Sequence, residues 1–206
     1  MNDVSRQAHW QNVYTTRGER EVSWFEERPA LSLELIRAAG ATPRSSVIDV
    51  GGGASRLVDA LLTDGFAAVT VLDISEAALA AAKRRLGGRA ADVTWLVADI
   101  TTWEPSQHYD VWHDRAVLHF LTEESDGAAY VARLKQALRP GGHAIIGTFA
   151  LDGPERCSGL PVVRYDAKSL ADLLGTDFEL VDARTHVHHT PTGVIQRFQF
   201  SVFRRR

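Results

Sequence analysis

Three carboxylates of this sequence lie in or directly after short apolar runs that are typical of buried strands. Asp49 lies in VIDVGGG, Asp73 ends VTVLD and Asp99 ends WLVAD. The carboxyl ends of parallel strands meet at one edge of a sheet, where open α/β folds bind their ligands. A carboxylate at such an edge can accept hydrogen bonds from two ribose hydroxyls, or from the exocyclic amine of a base. The three acids therefore predict a nucleoside site.

A run of three glycines, Gly51–Gly53, separates the first apolar run from an amphipathic segment at residues 55–63. Glycine allows unusual backbone angles and close approach of a ligand to a helix N-terminus, although a tight turn without a ligand is the alternative. A nicotinamide dinucleotide site would need a glycine where Arg56 stands, and Asp49 would repel a pyrophosphate. A ligand that carries a cation, such as a methionine ammonium group, fits better.

The elements that position these residues alternate between strands and helices. We predict strands at Ser46–Val50, Ala68–Asp73, Val93–Ala98, Tyr109–His113, His143–Phe149, Phe178–His186 and Val194–Phe203, and helices at Pro29–Ala39, Ser55–Thr63, from a Ser75 cap to Leu86, at Glu123–Leu138 and at Ala167–Leu174. The last two strands flank the sequence TPTG, which is typical of a hairpin. This order predicts an α/β fold with a doubly wound, mostly parallel, Rossmann-like sheet.

Composition narrows the classes of protein. The 206 residues carry a net charge of −3, so no basic field indicates nucleic acid or a membrane surface as a partner. One cysteine, Cys157, excludes an internal disulfide and suits a reducing compartment, and the polar N-terminus is unlike a signal peptide. We therefore expect a cytoplasmic protein, and we interpret Arg204–Arg206 as a solvated tail.

The glycine turn and its neighbours make the chain resemble the class I S-adenosylmethionine-dependent methyltransferases over nearly its whole length. Their acid-x-Gly-x-Gly-x-Gly motif corresponds to residues 49–55, with Ser55 in place of the third glycine. Asp73 matches the ribose-binding acid, ADI at residues 98–100 the segment beside adenine, and LKQALRPGGHAIIGTF the helix–turn–strand unit after the fourth strand. The resemblance implies seven strands in the order 3-2-1-4-5-7-6, with the last inserted strand antiparallel.

The same resemblance implies S-adenosylmethionine as cofactor and S-adenosylhomocysteine as product. We expect residues 1–28 to form an N-terminal arm or lid, and residues 29–206 to form the methyltransferase domain. Aromatic faces of the arm, including Phe25, suit a sulfonium, although an arm that merely packs on the sheet is the alternative. The predicted cofactor contacts are Trp10, Tyr14, Trp24, Asp49, Gly51, Gly53, Asp73, Ile74, Asp99, Ile100 and His113.

The predicted catalytic residues follow the fourth strand, where the family places the reactive methyl. A hydroxyl or ammonium acceptor must lose a proton, so we predict His113 and His119 as bases with Asp114 beside them; structural histidines are the alternative. The predicted acceptor contacts are Arg115, Cys157 and His186. His186 and His188 would share a strand face, but no carboxylate or cysteine stands at ligand spacing, so no metal is predicted.

Three functions remain open at this stage. The sequence HDRA after the fourth strand differs from the Asn/Asp-Pro-Pro-Tyr/Phe string of nucleobase and glutamine methylation. We therefore expect methyl transfer to O, N or S of a small molecule, by a monomer or homodimer. The N-terminal segment HWQNVYTTRGEREVSWFEERP resembles a branch of small bacterial methyltransferases and, more faintly, some protein-lysine methyltransferases. A protein-lysine methyltransferase and a non-catalytic S-adenosylmethionine-binding module are the alternatives.

Overall fold

The computed structural model describes residues 3–206, and side chains from residue 5 onward, so the first two residues of the predicted arm lie outside it. The helices are α1 Asp3–Thr16, α2 Ala30–Ala38, α3 Leu57–Thr63, α4 Glu76–Leu86, α5 Glu124–Ala137 and α6 Ala167–Leu174. The strands are β1 Ser46–Val50, β2 Ala68–Asp73, β3 Val93–Val97, β4 Tyr109–Arg115, β5 Leu138–Phe149, β6 Arg156–Cys157, β7 Leu160–Pro161, β8 Phe178–His189 and β9 Ile195–Arg205. Within residues 3–206 no helix is long and apolar enough to cross a membrane.

Seven of the strands form one sheet in the order β3-β2-β1-β4-β5-β9-β8. The first five are parallel, whereas β9 runs antiparallel to both of its neighbours. With β8 and β9 counted as sixth and seventh strands, the predicted order 3-2-1-4-5-7-6 is confirmed. The remaining two strands, β6 and β7, form a small separate hairpin in the loop after β5.

Alternation along the central strands explains the two-sided core. Val47 and Ile48 of β1 are adjacent and fully buried, and they belong to different apolar clusters on the two faces of the sheet. Leu33 of α2 joins the first cluster, while Tyr130 of α5 joins the second. Burial on both faces is what the nearly continuous apolar runs of β1 and β2 require.

Capping and turn residues determine where several helices and strands begin or end, as predicted. The Ser75 hydroxyl caps α4 by accepting a hydrogen bond from the Ala78 N–H at 3.2 Å. The same helix ends at Gly87, whose φ of +58° is readily adopted only by glycine. At the other side of the sheet, the turn at residues 190–194 joins β8 to β9, which confirms the predicted hairpin.

Two sequence-based expectations need correction, and one helix was not predicted. The terminal arginines are not a solvated tail: Arg204 and Arg205 belong to β9, and the Arg205 guanidinium donates to the Leu138 carbonyl. Strand β5 begins at Leu138, earlier than predicted, because Leu138 pairs with Tyr109 before residues 139–142 bulge out of the ladder. Helix α1 was not predicted, because many of the partners that stabilise it are distant in sequence.

Candidate active site

One cavity lies at the carboxyl edge of the sheet, under α1 and under the strap, which we define as residues 17–28. It encloses about 850 Å³ of empty space, counting the part open to solvent. The side chains around it are mostly apolar, with a few polar groups at the strand ends. Its lining residues include Arg6, Trp10, Tyr14, Trp24, Gly51, Asp73, Ile74, Asp99, Ile100, Arg115, Phe120, Phe149, Cys157, Gln196 and Phe198.

Asp73 is the acid that faces this cavity from the end of β2. One of its oxygens, Oδ1, accepts the Ser75 N–H at 2.7 Å. Burial raises the pKa of Asp73 to about 7, and the nearby Asp49 carboxylate contributes in the same direction. A Cβ on Gly53 would lie 2.8 Å from Oδ2 of Asp73 and 3.2 Å from the Tyr14 hydroxyl. Gly53 therefore packs closely against this carboxylate, with no room for a side chain, and it does not itself line the cavity as predicted.

Gly51 shows why the turn before α3 has glycine in place of a residue with a side chain. Its φ is +67°, and a Cβ there would lie 1.9 Å from a methyl group of Val117. Its N–H donates to the Leu72 carbonyl at 2.7 Å, which fixes the turn against β2. The first glycine is therefore required both by backbone angle and by packing.

Helix α1 is fastened across the strand ends by two polar side chains that the sequence analysis did not select. Arg6 is 8% exposed, and its Nε donates to Asp99 at 3.1 Å while Nη1 donates to Asp126 at 2.5 Å. Gln11 accepts hydrogen bonds from the Ser75 hydroxyl and from the Ala77 N–H, both at 3.1 Å. Arg6, Trp10 and Tyr14 recur every four residues, a helical spacing that could have identified this wall of the cavity.

Aromatic rings from α1, the strap and the turn after β4 meet at one end of the cavity. Trp10 packs edge-to-face against Phe120 and Trp24, with ring centroids 4.9 and 5.7 Å apart. The Trp24 indole donates to the Tyr14 hydroxyl at 3.2 Å. Phe25 does not join them, because its ring lies under the Arg56 guanidinium, 5.5 Å away, and outside the cavity.

His113 and Asp49, predicted to contact the cofactor, do not line the cavity. His113 is 2% exposed; its Nδ1 donates to Asp49 at 2.7 Å, and its Nε2 lies 2.9 Å from the Ser32 hydroxyl. His113 instead borders a smaller hollow under the strap, which shares Trp24 and Arg115 with the cavity. The His113 ring is directed towards the Asp49 carboxylate of β1, because His113 and Asp49 are paired directly across β4 and β1.

The other predicted catalytic residues, Asp114 and His119, are fully buried outside the cavity lining. Asp114 accepts the N–H groups of Val117 and Leu118 and the Tyr130 hydroxyl, and burial raises its pKa to about 6. The Nδ1 of His119 accepts a backbone N–H at 3.3 Å, which leaves the proton of the neutral ring on Nε2. Burial, assisted by the Arg115 charge, lowers the pKa of His119 to about 3.

The predicted acceptor contacts are brought together only in part. Arg115 and Cys157 line the cavity, and burial raises the pKa of the Cys157 thiol to about 11. Arg115 donates to the Trp24 carbonyl at 2.8 Å and lies 5.0 Å from the centre of the Phe198 ring. His186 does not line the cavity. Its Nε2 lies 3.6 Å from a Glu26 oxygen, outside the cavity wall that Arg115 and Phe198 form.

Gln196 and three phenylalanines complete the cavity and were not selected from the sequence. The Oε1 atom of Gln196 is buried and has no hydrogen-bond partner among the described residues. Phe120, Phe149 and Phe198 supply aromatic surface at the same end. Strand alternation around Phe198 indicated burial, but only the tertiary fold shows which cavity the ring borders.

A doubly wound sheet with a glycine turn after β1 and a buried acid after β2 defines a nucleoside-binding α/β protein. Residues 47–142 match a family model described as a methyltransferase domain. This match spans just under half of the chain and shows an S-adenosylmethionine-dependent methyltransferase domain there, and the strand order and the motif residues agree with it. The buried Asp73 carboxylate, which lines the cavity, is an acceptor that fits the ribose hydroxyls of that cofactor.

Similar proteins share this framework. The chain is 28% identical over 152 residues to the eEF1A lysine and N-terminal methyltransferase of Danio rerio, covering 72% of this chain and 22% of that protein. It is 25% identical over 122 residues to nodulation protein S of Rhizobium tropici, covering 59% of this chain and 50% of that protein. The chain thus spans about a fifth of the first relative and half of the second.

A solved structure extends the likeness over nearly the whole chain. The 1,6-didemethyltoxoflavin-N1-methyltransferase of Burkholderia thailandensis matches with a TM-score of 0.68 and 25% identity, covering 98% of this chain and 84% of that one. That structure contains 1,6-didemethyltoxoflavin and S-adenosylhomocysteine.

Proposed function

We propose that this protein transfers the methyl group of S-adenosylmethionine to an oxygen, nitrogen or sulfur atom of a small molecule. The observation that carries the proposal is the aromatic end of the cavity, beyond Asp73 and Gly51. The rings of Trp10, Phe120, Phe149 and Phe198 border this part of the cavity. We assign it to a second, apolar ligand beside the cofactor. A module that only bound S-adenosylmethionine would not need such a space.

Methyl transfer requires the protein to bind both ligands and to align them. Bound S-adenosylmethionine supplies an electrophilic methyl group on a positively charged sulfur. Asp73 would accept hydrogen bonds from the ribose hydroxyls, and the faces of Trp10 and Trp24 would favour a nearby cation. The aromatic rings then hold the acceptor in line with the methyl group and exclude water.

Contacts of the two predicted bases favour alignment over proton transfer. In His113, Nδ1 donates a hydrogen bond to the Asp49 carboxylate, so in the neutral ring Nε2 accepts one from the Ser32 hydroxyl. In His119 the only available lone pair already accepts a backbone N–H. A thiol, which loses its proton readily, or an amine whose lone pair is already free therefore suits this site better than an aliphatic alcohol.

We further propose that α1 and the strap act as the predicted lid, in a cytoplasmic monomer or homodimer. Arg6 and Gln11 fasten α1 to strand ends, and Arg115 fastens the strap through the Trp24 carbonyl. This roof favours a small acceptor over a lysine of a folded protein. The similarity to the Danio rerio lysine methyltransferase keeps the second acceptor class as the alternative.

Labelled S-adenosylmethionine tests these proposals directly. The full chain is incubated with aromatic thiols, aromatic amines, phenols, lysine peptides and folded protein substrates, and label transfer and S-adenosylhomocysteine are measured. We expect transfer to a small aromatic thiol or amine, impaired by Asp73→Ala and unaffected by the surface control Asp172→Ala. Transfer to protein alone would support the lysine alternative. Tight cofactor binding without transfer to any acceptor would support the binding module.

A further inference from the structure

Two histidines of the β8–β9 hairpin and one glutamate of the strap form a cluster behind the cavity wall. His188 Nδ1 lies 3.3 Å from Oε1 of Glu26, and His186 Nε2 lies 3.6 Å from the same oxygen. One potential ligand atom from each of the three residues lies within 4.8 Å of the other two. The carboxylate that the local sequence lacks is thus supplied from the N-terminal part of the chain.

The orientation of His188 leaves a position for a cation between its ring and Glu26. Its Nε2 lies 2.7 Å from the Ser23 carbonyl oxygen, which can only accept, so this nitrogen carries a proton. In the neutral ring Nδ1 is then a bare lone pair that faces a carboxylate oxygen. Two acceptors face each other stably only when a proton or a metal ion lies between them.

The distances and the surroundings favour a metal ion. Charge-assisted N–H···O bonds are about 2.7–2.9 Å long, whereas ligands about 2.0–2.1 Å from a tetrahedral zinc stand roughly 3.3–3.4 Å apart. The observed 3.3 and 3.6 Å match the second geometry better. The other ring nitrogen of a metal-binding histidine commonly donates to a backbone carbonyl, as His188 does to Ser23.

Access and charge are also suitable. The His186 side chain is 32% exposed and that of Glu26 is 20% exposed, so an ion can enter and keep a water ligand. The Arg115 guanidinium donates at 3.0 Å to Oε1 of Glu26, the same oxygen that faces both histidines. It orients the carboxylate, and its charge limits the affinity.

We propose that Glu26, His186 and His188 bind a divalent ion of the zinc class, which fastens the strap to the β8–β9 hairpin. The ion would lie beside Arg115 and Phe198, outside the cavity itself. It would act as a structural clasp on the lid and take no part in methyl transfer. The site is independent of which acceptor the enzyme methylates.

Zinc binding to the chelator-treated full chain provides the test, with a competing zinc indicator to measure affinity. We expect one ion per chain, and tetrahedral Co²⁺ absorption when cobalt replaces zinc. His186→Ala and Glu26→Gln should each weaken binding at least about tenfold. The matched control is His189→Ala, because His189 is exposed on the same strand but outside the cluster.

Two outcomes would overturn the proposal. The first is a zinc affinity of the wild type that is no higher than that of the His186→Ala variant. In that case the cation between His188 and Glu26 would be a proton. The other is equal loss in the His189→Ala control, which would indicate nonspecific binding to exposed histidines. Circular dichroism verifies the fold of each variant. His188 is buried, so His188→Ala could unfold the protein, whereas His186 is only half-buried. The His186→Ala variant therefore keeps the test valid.

Discussion

His113 donates to Asp49 across the pairing of β4 with β1, with 2.7 Å between Nδ1 and Oδ1. Both residues are 2% exposed, and Oδ2 of Asp49 has no hydrogen-bond partner among the described residues. The carboxylate therefore depends on this histidine for compensation inside the sheet. A carboxylate that loses its hydrogen-bond donor in the interior costs free energy of folding.

From this pair we predict that His113→Ala lowers the free energy of unfolding by about 1–3 kcal/mol. Urea denaturation measures the loss, with the exposed His108→Ala as control. Adding Asp49→Asn to His113→Ala should restore part of the stability, because the unpaired charge is removed. Equal stability of the His113→Ala and His108→Ala variants would contradict a structural role for the pair.

Asp73→Ala should weaken S-adenosylmethionine binding by about 1–3 kcal/mol, the range for hydrogen bonds to a charged group. In the wild type, affinity should fall as pH drops below 7, because the protonated carboxyl accepts fewer hydrogen bonds and its pKa is raised to about 7. Calorimetry at several pH values measures both effects. An Asp73→Asn variant with the same pH dependence as the wild type would assign the titration to another group.

The same pKa shift predicts a difference in stability. A carboxyl whose pKa is raised on folding favours the folded state most below its unfolded pKa of about 4, and this contribution is lost as pH rises through 7. Without cofactor, the unfolding free energy of the wild type minus that of Asp73→Asn should therefore grow as pH falls from about 8 to 5. Because the comparison is a difference, the titration of distant groups cancels. A difference that shrinks over this interval would contradict the raised pKa.

Gly51→Ala should destabilise the fold by about 1–3 kcal/mol, because the added Cβ meets Val117 and the backbone angle is positive. Val117→Ala in the same chain should recover the steric part of this loss and leave the backbone part. Thermal or denaturant unfolding of the two single variants and the double variant measures the coupling. The control is Gly159→Ala, which has a positive φ but no atom within 4 Å of the added Cβ. Additive losses would show that the contact with Val117 is not the cause.

Sequence alone was sufficient where local patterns and short turns determine structure. The bounds of β1, β2 and α6 follow from apolar runs and flanking turn residues, and all three were predicted without error. Asp73 and Asp99 were assigned to the cavity because a parallel sheet gathers its strand ends at one edge.

Sequence was insufficient where side chains meet across the fold. Helix α1 has little amphipathic pattern; it is held instead by Arg6 on Asp99 and by Gln11 at the start of α4. The position of His113 after β4 suggested the cavity, but its ring turns to Asp49. Nor could spacing reveal that Glu26 approaches His186 from the strap.

The proposed alignment mechanism makes a prediction about His119. Its pKa is lowered to about 3, so the ring stays neutral across the working range, and its free nitrogen already carries a proton. His119→Asn should therefore lower turnover by less than about tenfold, whereas removal of a general base costs roughly 10²–10⁴-fold. Turnover on an amine acceptor is measured between about pH 6 and 9, with cofactor affinity as the check that the site is intact. A rate that rises with pH in the wild type and loses this dependence in His119→Asn would identify His119 as a base and contradict alignment alone.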